Sequence, residues 1–134
     1  MYLLDTVVLS ELRKTQRNEG VTAWISDRKD AELFISVVSI GEIVRGIDRQ
    51  TKVDIEFANT LQRWLDNLLL IYNDRILPVD IRTAKQWGIL SNRIGNSGAD
   101  ILMAATALEH NLSVVTRNER HFADTGIRII NLWT

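Results

Sequence analysis

The sequence predicts an α/β fold in which a mostly parallel sheet is covered by helices on both faces. Two observations predict it. Short apolar runs rich in β-branched residues recur along the chain, and the stretches between them place apolar residues at helical spacing. Strands that alternate with helices are joined by right-handed crossovers, which makes the sheet parallel and buries both its faces.

The elements follow in order. Tyr2-Leu3-Leu4, ended by Asp5-Thr6, reads as a buried strand. Val8 to Lys14 and Val21 to Asp27 read as short helices, the second carrying Trp24 and Ile25. Leu33 to Val38 reads as a second buried strand, and Ser39 opens a helical segment that runs to about Asp48. A long amphipathic helix fills Val53 to Leu70, with Ile55, Ala58, Leu61, Leu65, Leu68 and Leu69 on one side. Ile76 to Val79 contains Pro78, the only proline, and is therefore a short edge strand. Asp80 to Arg93 is helical, with Ala84, Trp87 and Leu90 aligned, and Gly95 to Gly98 is a loop. Ala99 to His110 is an Ala-rich helix, and Asn111 suits its C-terminal cap. Ser113 to Thr116 and Ile127 to Ile130 supply the last strands. With no linker, repeat or low-complexity stretch, residues 1–134 read as a single domain.

Composition narrows the function classes. Hydrophobic residues make up 46% and charged residues 25%, enough to build one core without staples. The absence of cysteine excludes disulfides, thiolate metal sites and a Cys nucleophile. His110 and His121 are the only histidines, which argues against a multi-His zinc centre. No leader pattern and no apolar run of membrane length is present, so a cytoplasmic location is expected. A net charge of −1 disfavours a general nucleic-acid coat. It leaves room for an enzyme that grips one phosphate through a metal and a few arginines.

Ligands of open α/β sheets bind outside the carboxyl ends of the strands. Asp5 directly follows the first strand, Glu42 lies one helical turn after the second, and Asp100 opens the helix that leads into Ser113–Thr116. Asn118 follows that strand. Carboxylates brought to one edge repel one another and call for a cation. Oxygen donors without Cys suit Mg²⁺ or Mn²⁺, ions that activate water and neutralise phosphate charge in phosphodiester cleavage. Each acid also has a plain structural reading. Ser39 and Glu42 match a capping box, Ser97 and Asp100 have the related spacing, and Asp5 can cap the first helix. Spacing alone leaves caps and ligands open. Glu11, Asp80 and Glu119 could join such a site, although surface or capping roles suit them better. Arg13, Lys14, Arg45, Arg117 and Arg120 are candidate phosphate contacts. His121, three residues after Asn118, reads as structural or exposed before it reads as catalytic, and the four tryptophans fall mostly at core spacings rather than on a base-stacking surface.

Five blocks in order carry a resemblance: Tyr2–Thr6, Ile35–Ile43, Arg75–Asp80, Ala99–Ala107, and Val114–Asn118 ahead of Phe122. Together they resemble the PIN-domain ribonucleases, and among them the VapC and FitB toxins of bacterial toxin–antitoxin pairs. The resemblance implies a three-layer α/β/α sandwich and Mg²⁺- or Mn²⁺-dependent cleavage of RNA such as tRNA or ribosomal RNA. It implies metal-binding acids at Asp5, Glu42 and Asp100, and a fourth polar site residue at Asn118. It further implies a homodimer and a VapB-like antitoxin whose C-terminal segment fills the active-site groove. Three positions depart from the family pattern. Val7 stands where Asn is common, Asn118 where many relatives have Asp, and His121 where many carry an acid before the Phe. Asn118 adds no charge, so one firmly bound ion is expected rather than two. The competing readings are a degenerate PIN-like module that binds RNA or a protein without cutting, and a phosphoryl-acceptor domain. The second is disfavoured because Val7 breaks the Asp-x-Asp of one type and Leu4-Asp5-Thr6 lacks the acidic pair of the other.

Overall fold

The structure is a computed structural model and describes residues 1–133. The expected end of the domain, Thr134, lies outside the described residues. Five strands form one sheet: β1 (Tyr2–Leu4), β2 (Leu33–Ser36), β3 (Ile76–Leu77), β4 (Ser113–Val115) and β5 (Ile129–Ile130), in the order β3-β2-β1-β4-β5. All four neighbouring pairs are parallel. Seven helices connect them: α1 (Thr6–Arg13), α2 (Glu19–Ser26), α3 (Val37–Thr51), α4 (Ile55–Ile71), α5 (Ile81–Ile94), α6 (Ala99–His110) and the short α7 (Glu119–Phe122).

Side-chain alternation along the strands divides the core into two halves. Leu4, Leu33, Ile35 and Val115 point to one face and pack with Val8 and Leu9 of α1, Val21 of α2, Ile43 and Ile47 of α3, and Leu65 and Leu68 of α4. Leu3 and Val114 point to the other and meet Leu90 of α5, Ile101, Met103 and Ala104 of α6, and Phe122 of α7. The result is the three-layer sandwich that the resemblance implied. β1 is the central strand, paired on both sides, which matches its fully apolar character. The Pro78 segment shrinks to β3 at one edge of the sheet and β5 forms the other edge.

Several expected boundaries move by two or three residues, and two of the shifts bear on the site. The second strand ends at Ser36, not Val38, because the Ser36 hydroxyl accepts from the Val38 amide at 3.0 Å and caps α3. A cap that satisfies an otherwise orphaned amide outweighs the weak β preference of Val37 and Val38. The first helix begins at Thr6, two residues earlier than Val8, because Asp5 caps it. At the other end of α6, Asn111 takes the left-handed conformation (φ 54°) and closes the helix as expected.

Arg75 ties β3 into the sheet. Its guanidinium donates to the carbonyls of Asp30 (2.6 Å), Leu33 (2.9 Å) and Ile71 (2.8 Å) and stacks over Tyr72. Its own carbonyl accepts from Ile35 N at 3.0 Å. Arg75→Ala removes one donor from each of three carbonyls, of which that of Asp30 keeps the Leu33 amide, and should cost about 1–3 kcal/mol. The loss should appear as a lower urea midpoint at unchanged slope. An unchanged midpoint would show that water replaces the side chain without penalty.

Candidate active site

Asp5 sits at the carboxyl end of β1 and is 4% exposed. Its amide donates to Val115 O (3.0 Å) and its carbonyl accepts from Val8 N (3.0 Å). Oδ1 accepts from Thr6 N (2.7 Å), which makes Asp5 the cap of α1, and Oδ2 accepts from the Thr116 hydroxyl (2.7 Å). Strand end, helix cap and buried acid are thus one residue. Burial pushes its pKa above the ordinary carboxylate value. The bonds from Thr116 and Thr6 pull it down, and the charges of Asp100 and Glu42 push it up again.

Glu42 is half-buried in the second turn of α3. The expected capping box with Ser39 is not formed, because Ser36 already caps the helix and leaves Ser39 buried within it. Ser39 and Glu42, three residues apart on one helix face, instead turn together to Thr6. Thr6 Oγ1 donates to Glu42 Oε1 at 2.6 Å and lies 2.8 Å from Ser39 Oγ, which in turn reaches Met103 Sδ at 3.9 Å. The other carboxylate oxygen stands 3.8 Å from Arg45 Nη2, a loose and largely exposed ion pair that contributes little.

Asp100 occupies the first turn of α6. The Ser97 cap expected for it is absent as well: Gly98 is the cap residue and no side chain bonds there. Asn96 Oδ1 takes the Gly98 amide at 2.9 Å, and the Ser97 carbonyl accepts from Trp87 Nε1 at 3.3 Å. The Asp100 carboxylate is therefore available to His121, whose Nδ1 stands 2.9 Å from Oδ2. Burial raises the Asp100 pKa, His121 lowers it, and the Glu42 charge raises it. Asn118 is exposed and opens α7 without a side-chain cap bond. Its amide donates to Thr116 Oγ1 at 2.9 Å, so one hydroxyl links Asp5 to the Asn118 backbone. A cavity of about 210 Å³ at this end is lined by Arg117, Asn118, Glu119, Arg120 and His121. A second, of about 250 Å³, runs from Thr6 and Glu42 to Arg13, Phe57, Leu61 and Trp64.

The secondary acids are engaged elsewhere, and two of the candidate arginines lie over aromatic rings. Glu11 is buried, but its carboxylate holds the Asn18 amide (3.0 Å) and Lys14 (3.2 Å), and the Asn18 bond depresses its pKa first of all. Asp80 caps α5 through Thr83 N, and Glu119 bonds Asn131. Arg13 and Arg117 lie over Phe57 and Trp133. Sequence reasoning gave Thr6 and Thr116 no role at the site, read Ser39 only as a cap, and read His121 as structural or exposed rather than as a partner of Asp100. The available signal was a hydroxyl residue inside an otherwise apolar buried block.

Asp5, Glu42 and Asp100 are the residues that could hold a cation here. Their charges act on one another, Asp5 feeling both others and Asp100 feeling Glu42. Among the described residues, however, no three acidic or histidine side chains form a ready-made ligand set. Each is tied to a protein partner: Asp5 to Thr116, Glu42 to Thr6, Asp100 to His121. The donor chemistry fits a hard divalent ion, and ligation would draw Glu42 and Asp100 out of those bonds.

Because the folded-state pKa of Asp5 lies above its unfolded value, the folded chain holds that proton more tightly. The associated stability is complete below the unfolded value and is lost as pH rises through the folded value. Asp5→Asn keeps a capping side chain without the charge. It should raise the urea midpoint at neutral pH and leave it close to wild type in acid. A variant less stable than wild type at neutral pH would contradict the burial argument.

Comparison with known proteins places the fold. The PIN domain family matches residues 2–127. The VapC ribonuclease Y4jK of Sinorhizobium fredii is 32% identical, the alignment covering 99% of this chain and 98% of the relative. Toxin FitB of Neisseria gonorrhoeae is 30% identical over 99% of both chains. The crystal structure of FitAcB from Neisseria gonorrhoeae superposes with a TM-score of 0.87 at 30% identity, covering 99% of each chain. The parallel five-stranded sheet comes with a full-length match, and the chain belongs to the PIN domain family, with VapC and FitB toxins among its relatives.

Proposed function

We propose that the protein is a divalent-metal-dependent endoribonuclease and the toxin of a toxin–antitoxin pair. The observation that carries this reading is the set of three mutually repelling carboxylates, Asp5, Glu42 and Asp100, presented at one edge of the sheet. A bound Mg²⁺ or Mn²⁺ supplies charge neutralisation, activation of water and stabilisation of the phosphate in the transition state. The chain's own groups do the rest. Asp5, locked by Thr6 and Thr116, provides the fixed corner. Glu42 and Asp100 approach from α3 and α6, and Asn118 offers a neutral amide beside them. Arg45, next to Glu42, and Arg117, at the rim of the smaller cavity, are placed to hold RNA phosphates. Val7 packs into the core, and the two threonines give Asp5 the support that an Asn there would have supplied.

The reading extends to partners. FitB is found with FitA in the FitAcB structure, and a FitA- or VapB-like antitoxin is the matching partner for this chain. The groove lined by Arg13, Glu42, Phe57, Leu61 and Trp64 borders the acids and offers it apolar anchors. Ile71, Ile81 and Ile89, each exposed by more than half, offer apolar surface for a homodimer. Residues 1–134 act as one domain, since β1 and β5 from its two ends share the sheet. We place it in the cytoplasm with its substrate, tRNA or ribosomal RNA. No helix among the described residues is long and apolar enough to cross a membrane.

The test is cleavage. The chain, freed of antitoxin, should cut RNA with Mg²⁺ or Mn²⁺ and stop with chelator. Asp5→Ala, Glu42→Ala and Asp100→Ala should each lower the rate by roughly two to three orders of magnitude. Equal rates for wild type and Asp5→Ala would sink the ribonuclease reading and leave a module that binds without cutting.

A further inference from the structure

We infer that Trp133 is a positioning residue for RNA binding: its ring fixes the Arg117 guanidinium at the carboxyl edge of the sheet, where it receives a phosphate of the strand to be cut. The inference rests on the ribonuclease reading above and deepens it, since it says how the phosphate contact is held. Three observations carry it.

The first is the path of the chain. β4 and β5 are parallel neighbours, and Thr116 N donates to Ile130 O at 3.0 Å. The segments that follow these two residues therefore leave the sheet side by side, at the edge where the Thr116 hydroxyl bonds Asp5. Arg117 lies between Thr116 and Asn118, and the Asn118 amide bonds Thr116 Oγ1 at 2.9 Å. The Arg117 backbone is thus tied to the fixed acid.

The second is the way the C-terminal segment is held. Asn131 Nδ2 donates to Glu119 Oε2 at 3.2 Å, and Asn131 Oδ1 accepts from Trp133 N at 3.0 Å. Leu132 runs so close to the first turn of α2 that a Cβ on Gly20 would lie 2.8 Å from its carbonyl oxygen. Leu132 and Trp133 are half-buried and pack against the core. The indole is therefore a fixed surface.

The third is the state of the guanidinium. Arg117 Cζ lies 5.6 Å from the centre of the Trp133 ring, within cation–π range. Among the described residues its N–H groups meet no hydrogen-bond or ion-pair partner. The neighbouring acids are taken: Glu119 by Asn131, and Glu11 by Lys14 and the Asn18 amide. A planar guanidinium stacks through its face and donates through its edge, so ring and phosphate do not compete. Stacking also removes in advance part of the side-chain freedom that an exposed arginine loses on binding.

The competing role is a staple that holds the C-terminal segment down and does nothing for RNA. Two measurements on the full chain, freed of antitoxin, separate the roles. In ¹⁵N relaxation, Arg117 Nε should be restrained in wild type and in Trp133→Phe, and mobile in Trp133→Leu, which keeps apolar bulk without a π face. The second measurement is binding of a fluorescein-labelled oligouridylate, with chelator present to prevent cleavage. Arg117→Gln should weaken binding roughly tenfold and lower the slope of affinity against salt by about 0.7. Trp133→Leu should weaken it roughly two- to fivefold, and Trp133→Phe should restore most of the loss. Gly20→Ala, which must push Leu132 away while leaving both partners intact, should act in the same direction as Trp133→Leu. In an Arg117→Gln background the effect of Trp133→Leu should vanish. Unchanged binding by Trp133→Leu, the same loss with Arg117 already removed, or no binding by wild type would overturn the inference. Oligouridylate bound with these dependences, yet left uncut when Mg²⁺ or Mn²⁺ is restored, would support it while overturning the ribonuclease reading.

Discussion

Asp5 uses every hydrogen-bonding group it has. Its amide extends the β1–β4 ladder, its carbonyl starts α1, one carboxylate oxygen caps that helix and the other receives the Thr116 hydroxyl. The chain changes from strand to helix at this residue with no intervening loop, so the carboxylate cannot leave the sheet edge without undoing β1 or α1. A buried acid disfavours its own charge. The fold tolerates it because the surrounding ladder and cap over-determine its position, and the site is organised around that fixed corner.

The other two acids are held more loosely, and by different means. Glu42 is restrained by one hydroxyl, itself part of a chain of polar contacts that runs from Thr6 through Ser39 to Met103 and so joins α1, α3 and α6. Asp100 is restrained by an exposed imidazole. This asymmetry has a mechanical consequence. One corner is rigid and two are adjustable, so the set can relax without a cation and tighten around one. Repulsion among the three favours the relaxed arrangement, and in the proposed reading a bound divalent ion would reverse the balance.

Much of the fold was legible because the sequence is locally consistent. Tyr2–Leu4 is wholly apolar and occupies the centre of the sheet, Pro78 adjoins an edge strand, and α6, with Ile101 and Met103 to Ala107 all buried, is the Ala-rich helix that its composition announced. The helix caps were less legible. Ser36 and Ser39 both follow β-branched or apolar residues at plausible spacing, and only the end of β2 decides between them. α7 has four residues, too few to show a period. The acids themselves were visible as polar residues at element ends, but their supports were not. Thr6 meets Ser39 across 33 positions, and Thr116 meets Asp5 across 111. No local pattern encodes such pairs, and the same holds for the approach of His121 to Asp100.

The central claim is that a fixed Asp5 and two adjustable acids close on a single divalent ion. Anomalous diffraction from a crystal grown with Mn²⁺ tests it most directly. The account predicts one strong peak bounded by Asp5, Glu42 and Asp100, with Glu42 withdrawn from Thr6 and Asp5 still bonded to Thr116. A peak elsewhere on the protein, or no peak within reach of Asp5 at saturating Mn²⁺, would contradict it.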